Sequence, residues 1–573
     1  MLTEQGIYIG LAGEERVVLP LKMANRHGLI TGASGTGKTV TMKVLAEDFS
    51  DAGVPVFLCD MKGDVSGLAV PGAPSEKMEA RIDRFGIRDG FSYTSYPVVF
   101  WDVFQEAGHP VRATVSDMGP DLLSRILGLT AAQESVLNLV FRIADDHGLL
   151  LLDLKDLRTT LQFVGENRAE FSAEYGAVAP VTLQGILRAL SPLETQGGDL
   201  FFGEPALDIQ DWMRTDGQGR GIINLLDCVK LSRSPRLYAV FLLWMLSELF
   251  ERLPEAGDLD KPKLLFFFDE AHMLFRDAPK VLVQKIEQLV RLIRSKGVGV
   301  YFVTQSPGDL PDMVLSQLSH RIQHALRAYT PAEQKAVRAA AASLRPNPAF
   351  RAEEVINELG VGEALISLLD ETGVPGVVQR AAVLCPRSLM APADQGVRLD
   401  LIAADGMDKY DLSVDNVSAY EVLHERRESA GQAASAAAER AALERERAAF
   451  EAQKAKEEAA EQKRQEKEAE AERKRQEREE EAARRKQERE EEAARRKQER
   501  EEEAARRKQE REEEAARKKQ EREEEAARRK QEQEQRRKEA AEERRRQQVE
   551  RMLINTGGQV LRRGLMNTLY KKK

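Results

Sequence analysis

Cysteine is scarce. The 573 residues hold only three, Cys59, Cys228 and Cys385, far apart in the chain and in apolar surroundings. They form no Cys-x-x-Cys pair and no disulfide framework, a distribution that suits a reducing cytosol. Long apolar runs are missing as well. The run from Tyr238 to Met245, with Leu237 and Leu246 on either side, falls far short of the ~20 residues needed to span a bilayer. The N-terminus turns polar within four residues, which fits no secretory signal. The expectation is a cytoplasmic chain without a transmembrane segment. Histidine is sparse too, and of the seven only His320 and His324 are close in sequence. Their i, i+4 spacing could face a metal, but no carboxylate or cysteine joins them, so they read as surface or interface histidines. A large excess of one charge is also lacking. The net charge of −9 averages over a very unusual tail, so it identifies no partner.

The hydrophobic content of 42% supports a large core, and the charged content of 32% must concentrate elsewhere. The length allows three or four domains at ~150 residues each. The stretch around which the rest is organised is Gly32-Ala33-Ser34-Gly35-Thr36-Gly37-Lys38-Thr39, followed by Val40. It fits the phosphate-binding P-loop pattern in full. The apolar run Gly28–Thr31 enters it and a helical run from Val40 to Asp48 leaves it, the strand–loop–helix context that the motif needs. Glycines let successive backbone N–H groups curl toward one phosphate, and the helix adds its positive dipole end. In that chemistry Lys38 reaches the β- and γ-phosphates, and the Thr39 hydroxyl binds magnesium.

Ile7–Leu11 and Val17–Leu21 read as strands before the P-loop strand. Val54–Cys59 reads as the second parallel strand, ending in Asp60, Lys62 and Asp64. Open α/β sheets bind ligands at such carboxyl ends. These three residues are either near the nucleotide or in a solvated turn, and the sequence leaves both open. Residues 85–215 read as a mostly helical insertion with no catalytic constellation, its helices at 121–127, 131–147, 154–166 and 183–193. The core resumes with a strand at 221–226 and a helix from Pro235 to Leu253. Leu264–Phe268 then runs into Asp269-Glu270. A doubly buried strand ending in two carboxylates is the Walker B pattern. Asp269 can hold magnesium and Glu270 can polarise the attacking water. The alternative is helix-capping chemistry after a strand. After a helix at 281–296, the strand Val298–Thr304 ends in Gln305, placed to sense the γ-phosphate. Arg321 and Arg327 are candidates to reach a neighbouring subunit's nucleotide, with Arg321 preferred. Either could instead be a backbone-phosphate contact or a plain surface arginine. Residues 331–344 read as a helix and 363–385 as a β-hairpin.

The expected fold is α/β: a RecA-like, doubly wound P-loop core with a helical insertion and a long charged C-terminal helix. The domain reading is 1–84 for the first half of the core, 85–215 for the insertion, and 216–390 for the second half with Walker B and the sensor. Then come a linker at 391–432, a charged repeat tail at 433–550 and a basic amphipathic terminus at 551–573. In the tail, alanine pairs recur at 482/483, 493/494, 504/505, 515/516 and 526/527, an 11-residue period that gives a slightly right-handed stripe. The stripe is too small to drive packing, while Glu480–Arg484 and Glu481–Arg485 spacings support a lone helix. Such a helix could reach roughly 170 Å. A coiled coil ranks second because no Leu/Ile seam is present. The terminus carries Met552, Leu553, Val560, Leu561, Leu565, Met566 and Leu569 among arginines and lysines. Self-docking or an oligomer contact is its first reading; a membrane surface or nucleic acid are the others.

Several segments together resemble one family: Met23–Ile30, the P-loop, Asp60–Leu68, Asp269-Glu270-Ala271-His272, Thr304–Pro307 and Arg321–Ala328. Over roughly residues 1–390 the chain is similar to the bacterial HerA-like ATPases of the HerA/FtsK superfamily, and Arg563-Gly564-Leu565 resembles that family's terminus. The repeat tail is not part of the pattern. The resemblance implies a RecA-like core, a hexameric ring, ATP and Mg2+ as nucleotide and metal, and ATP-driven translocation of double-stranded DNA. On that basis Lys38 and Thr39 bind nucleotide and magnesium, Asp269 and Glu270 are the Walker B pair, Gln305 is the sensor, and an arginine near 321 acts in trans. The P-loop begins at residue 32, which leaves no room for the barrel domain that precedes it in archaeal HerA. A nuclease partner and a role in DNA-end processing are therefore in doubt. Asp-Glu-Ala-His also occurs in DEAH-box helicases, but their arginine-rich final motif is absent around 320–327. Membrane-anchored relatives such as FtsK need membrane helices, which are not found. Two further readings stand beside the DNA motor: a P-loop ATPase acting on protein partners, and a scaffold with a decayed core, against which the intact Lys38, Thr39, Asp269 and Glu270 argue.

Overall fold

Five apolar residues in a row cannot present one dry and one wet face, and in the computed structural model Leu264–Phe268 is buried throughout. The structure describes residues 1–275, 280–464, 480–489, 491–493, 495 and 498–499. The chain divides into two units, Met1–Ala436 and Ala437–Lys573.

The first unit is built on one sheet of 13 strands. These are β1 (Leu2–Thr3), β2 (Gly6–Ala12), β3 (Glu15–Leu19), β4 (Gly28–Thr31), β5 (Val56–Asp60), β6 (Val98–Asp102), β7 (His109–Pro110), β8 (Ile223–Asp227), β9 (Leu264–Phe268), β10 (Val298–Thr304), β11 (His320–His324), β12 (Glu363–Ser367) and β13 (Gln379–Val383). Across the sheet the order is β1-β2-β13-β12-β11-β4-β10-β9-β5-β8-β6-β7, with β3 on β2. From β11 to β7 every pairing is parallel. From β11 through β12, β13 and β2 to β1 and β3 every pairing is antiparallel. The expected parallel core is therefore extended by an antiparallel wing made from the first strands and the 363–383 hairpin.

Alternation along the strands sorts two cores. Phe57, Phe266, Phe268 and Phe302 face one side, with Leu137, Leu157, Leu187 and Trp244 packed in the same cluster. Val56, Leu58, Phe267 and Val303 face the other, where Met42, Leu45 and Phe49 of α1 (Lys38–Asp51) cover them. At ~25 cal/mol per Å2 of apolar burial, these two faces dominate the stability of the unit.

The longer helices of the insertion are Val115–Leu127, Ala131–Asp146, Leu154–Glu166, Arg168–Tyr175 and Pro180–Leu193. The first three start on capping boxes, with Thr114, Thr130 and Asp153 as caps answered by Asp117, Gln133 and Asp156. One correction concerns 85–215: Val98–Asp102 is a fully buried strand of the main sheet. Glycine and proline around it disguised the short run of Val98, Val99, Phe100 and Trp101. A second concerns 391–432, read as a linker. It carries the helix Gln395–Ala404, and the Arg398 guanidinium donates to Asp227 Oδ2 at 3.1 Å. His320 and His324 are also corrected: both are buried.

The helix Ala419–Arg464 buries Ala419 and Leu423, and residues 424–456 are exposed. In the second unit, residues 480–489 are helical. Arg485 donates to Glu481 at 3.0 Å, and Arg484 lies 3.9 Å from Glu488. The later repeats and the basic terminus at 551–573 lie outside the described residues. No helix among the described residues is long and apolar enough to cross a membrane.

Candidate active site

The P-loop connects β4 to α1. Gly32, Gly35 and Gly37 all adopt positive φ, at 151°, 75° and 116°. At Gly32 a Cβ would fall 2.5 Å from the His324 Cβ, so only glycine lets the loop leave the strand here. Gly37 is the N-cap of α1, and no side-chain hydrogen bond caps the helix there. The first-turn amides of a helix have no intrahelical partner. A positive, uncapped helix end opposite a left-handed glycine is a cradle for an anion.

The loop is fastened from outside. Ala33 N–H donates to Ala325 O at 2.8 Å, and Gly362 N–H donates to Thr36 O at 3.0 Å. Beneath it, the Thr41 hydroxyl lies 2.8 Å from His324 Nε2, and His324 Nδ1 lies 3.0 Å from Glu363 O. The carbonyl can only accept, so Nδ1 carries the proton and Nε2 accepts from Thr41. Burial holds this imidazole neutral, pushing its pKa down to about 4. The Thr31 hydroxyl donates to Gln323 Oε1 at 2.6 Å. Ser34 and Gly35 form the exposed crest, Thr39 and Val40 are half-buried, and Lys38 is buried. Lys38 Nζ donates to the loop's own carbonyls at Gly32 (2.7 Å) and Ala33 (3.1 Å). Burial lowers its pKa, against the raising field of Glu270 and Asp269.

Sheet order brings the acidic pair to the loop. β10 lies between β4 and β9, with Thr304 opposite Thr31 and Phe302 opposite Phe268. Gln305, exposed, follows Thr304 at the tip between them. Its turn is set by Asp309, whose Oδ2 accepts from Thr304 Oγ1 and Ser306 N, both at 2.8 Å. Burial pushes the Asp269 carboxyl up to about 6, with Lys62 opposing and Glu270 adding to the rise. Among the described residues, Asp269 Oδ2 and Glu270 Oε2 are buried oxygens without a hydrogen-bond partner. Two unsatisfied carboxylate oxygens are costly in a dry site, and they suit a hydrated divalent cation and a water. With the Thr39 hydroxyl at the first turn of α1, the donor set is all oxygen, which fits Mg2+.

Lys62 stands in the site: its Nζ is 2.5 Å from Glu270 Oε1. Burial would raise the Glu270 pKa, but the Lys62 hydrogen bond and charge lower it overall. Asp60 is instead a buried loop organiser, accepting from Lys62 N, Gly63 N and Val65 N at 3.2, 2.7 and 3.0 Å. Asp64 adds a carboxylate field to Asp269 and Lys62. Arg321 is half-buried and donates to Leu315 O at 2.9 Å. Arg327 is exposed and donates to Asn357 O (2.5 Å) and Leu359 O (3.1 Å). Sequence reasoning missed the His324–Thr41 clamp and the Lys62–Glu270 pair; spacing gave no signal for either.

A model of the family described as helicase HerA-like C-terminal matches residues 9–490. Among solved structures, the chain is similar to the bacterial conjugative coupling protein TrwBdeltaN70, at 15% identity over 68% of this chain and 92% of that one, with a TM-score of 0.46. It is similar to the plasmid coupling protein TrwB in complex with ADP and Mg2+, at 15% identity over 68% and 94%, with a TM-score of 0.45. It is also similar to VirB4 of Thermoanaerobacter pseudethanolicus, at 15% identity over 67% and 97%, with a TM-score of 0.41. No curated protein matches the sequence.

Proposed function

We propose, for a chain that belongs to the helicase HerA-like C-terminal family, that it is a magnesium-dependent ATP hydrolase working as a ring motor on double-stranded DNA. The observation that carries the hydrolase reading is the convergence of P-loop and acidic pair on either side of β10, with Asp269 Oδ2 and Glu270 Oε2 both unsatisfied among the described residues. Phosphoryl transfer asks a protein chiefly for positioning and charge. Lys38 and the amides of Gly35, Gly37 and Thr39 hold the phosphates. Thr39 and Asp269 hold the hydrated magnesium, which would polarise the γ-phosphate when bound. Glu270 orients the attacking water, and Gln305 senses the γ-phosphate from the tip of β10. Arg321 acts on a neighbouring subunit's nucleotide, with Arg327 as the other candidate.

ATP turnover measured with and without duplex DNA at low salt tests the motor. Stimulation by DNA is expected; none would overturn DNA translocation while leaving hydrolysis standing. Images of the protein with a non-hydrolysable nucleotide test the expected hexamer. The exposed helix from 424 to 456 favours one second reading, an ATPase that reaches protein partners. Turnover indifferent to DNA, together with a partner retained after DNase treatment, would select it.

A further inference from the structure

We propose that Lys62 is a positioning residue, which holds the Glu270 carboxylate by one oxygen so that the other faces the attacking water. The inference rests on the hydrolase reading above and adds to it a residue outside the P-loop and Walker B patterns.

Glu270 sits at φ 45°, ψ 45°, in the left-handed region that a non-glycine residue adopts only when its surroundings over-determine it. Its two carboxylate oxygens have different neighbours. Oε1 is tied to Lys62 Nζ at 2.5 Å. Oε2 is buried, has no hydrogen-bond partner among the described residues, and has His272 Nδ1 3.3 Å away. The last torsion of a glutamate is broad and two-fold, so an untethered carboxylate would exchange these environments. The tether removes that freedom.

Lys62 can act as a tether because its own backbone is fixed. Asp60, at the end of β5, accepts hydrogen bonds from the amides of residues 62, 63 and 65. β5 lies beside β9 with Cys59 opposite Phe268, so the Asp60 turn is level with Asp269. The strand next to Walker B thus delivers a cation to the Walker B glutamate. An ion pair weakens Glu270 as a base. In a loose phosphoryl-transfer transition state, however, the water's orientation matters more than the strength of the base that receives its proton.

The test measures ATP turnover, affinity for a fluorescent ATP analogue and melting temperature on the full chain. Lys62→Ala is expected to lower kcat by ~10- to 100-fold, with nucleotide affinity within about three-fold and KM little changed. Lys62→Arg should recover part of the loss, because a guanidinium can also hold a carboxylate. Combining Lys62→Ala with Glu270→Gln should be no slower than Glu270→Gln alone, since the two act as one unit. Unchanged or faster turnover in Lys62→Ala, losses that multiply in the double variant, or a parallel loss of nucleotide affinity would each overturn the proposal. A wild-type chain without magnesium-dependent turnover would instead overturn the hydrolase reading. The tether would then be judged from a crystal structure of the Lys62→Ala variant: a Glu270 carboxylate that kept its place would refute it.

Discussion

His324 makes the P-loop support sensitive to acid, and the size of the effect can be worked out. The imidazole is fully buried, donates from Nδ1 to Glu363 O and accepts at Nε2 from Thr41. A second proton at Nε2 would meet a hydroxyl that is already donating, and burial pushes the pKa down to about 4 from 6.5. The unfolded chain therefore binds this proton more readily than the folded one. Stability from His324 is complete above about pH 6.5 and drains as pH falls toward about 4. At pH 5 the loss is about 2 kcal/mol by linkage. Burial raises the Glu47 and Asp48 carboxyls, which contributes with the opposite sign, so the wild-type profile alone does not isolate His324. The difference between wild type and His324→Gln does. At pH 7 the variant should be less stable by ~2–4 kcal/mol, for two buried hydrogen bonds and imperfect packing. At pH 5 that gap should shrink by about 2 kcal/mol, because only the wild type suffers the protonation cost. Urea denaturation followed by tryptophan emission suits the measurement, since Trp101, Trp212 and Trp244 are all buried in the first unit. A gap that is constant or widens on acidification would refute the assignment of a neutral clamp.

Glu270→Gln should reduce turnover by ~10^2- to 10^3-fold while nucleotide affinity persists, whereas Lys38→Ala should lose affinity itself. Turnover and nucleotide titration separate the two, and a Gln variant as fast as wild type would remove Glu270 from the mechanism. Arg387→Met should destabilise the first unit by ~3–5 kcal/mol. Its guanidinium donates to Asp48 and Asp51, and its backbone N–H donates to Glu47, so removing the charge strands buried carboxylates. A denaturation midpoint within error of wild type would contradict that. Truncation after Ala436 should leave the melting temperature of the first unit unchanged, whereas truncation after Met390 should lower it by at least about 5 °C. Equal melting of the two would show that the 391–418 segment contributes nothing.

What could be read from the sequence was what is local. The P-loop and Asp269-Glu270 are contiguous patterns whose chemistry sits within a few residues. The parallel strands are unbroken apolar runs because both faces are covered. Contacts between strands left no such trace. Lys62 and Glu270 meet only because β5 and β9 are neighbours, and no spacing rule links their positions. The histidine pair was misjudged for a related reason. On a helix, residues four apart are ~5–6 Å apart and could share an ion. In β11, at ~3.3 Å per residue, they lie about 13 Å apart on the same buried face. His320 is spent on Met23 O at 2.8 Å and Leu369 N at 3.3 Å, and His324 on the clamp. No metal-ligating cluster of histidine, cysteine and carboxylates occurs among the described residues.

The segment before the long helix shows how composition misleads. Residues 391–418 are rich in aspartate and alanine, a composition that reads as a solvated connection. Yet the acidic residues find fixed partners on the core. His109, fully buried on β7, has Asp411 Oδ1 2.6 Å from Nδ1 and Asp405 Oδ1 2.9 Å from Nε2. A ring facing a carboxylate at each nitrogen must donate from both. Although burial works against it, these two partners raise the His109 pKa. Arg112 donates to Tyr410 O at 2.7 Å, and the Tyr410 hydroxyl donates to Asp211 at 2.6 Å. Tyr420 N–H donates to Asp156 at 2.9 Å. Charge-assisted hydrogen bonds of this kind are roughly twice as strong as neutral ones, so a few of them fix a polar segment that could not form a core of its own. The charged helix therefore starts from a root fastened to β7 and the insertion.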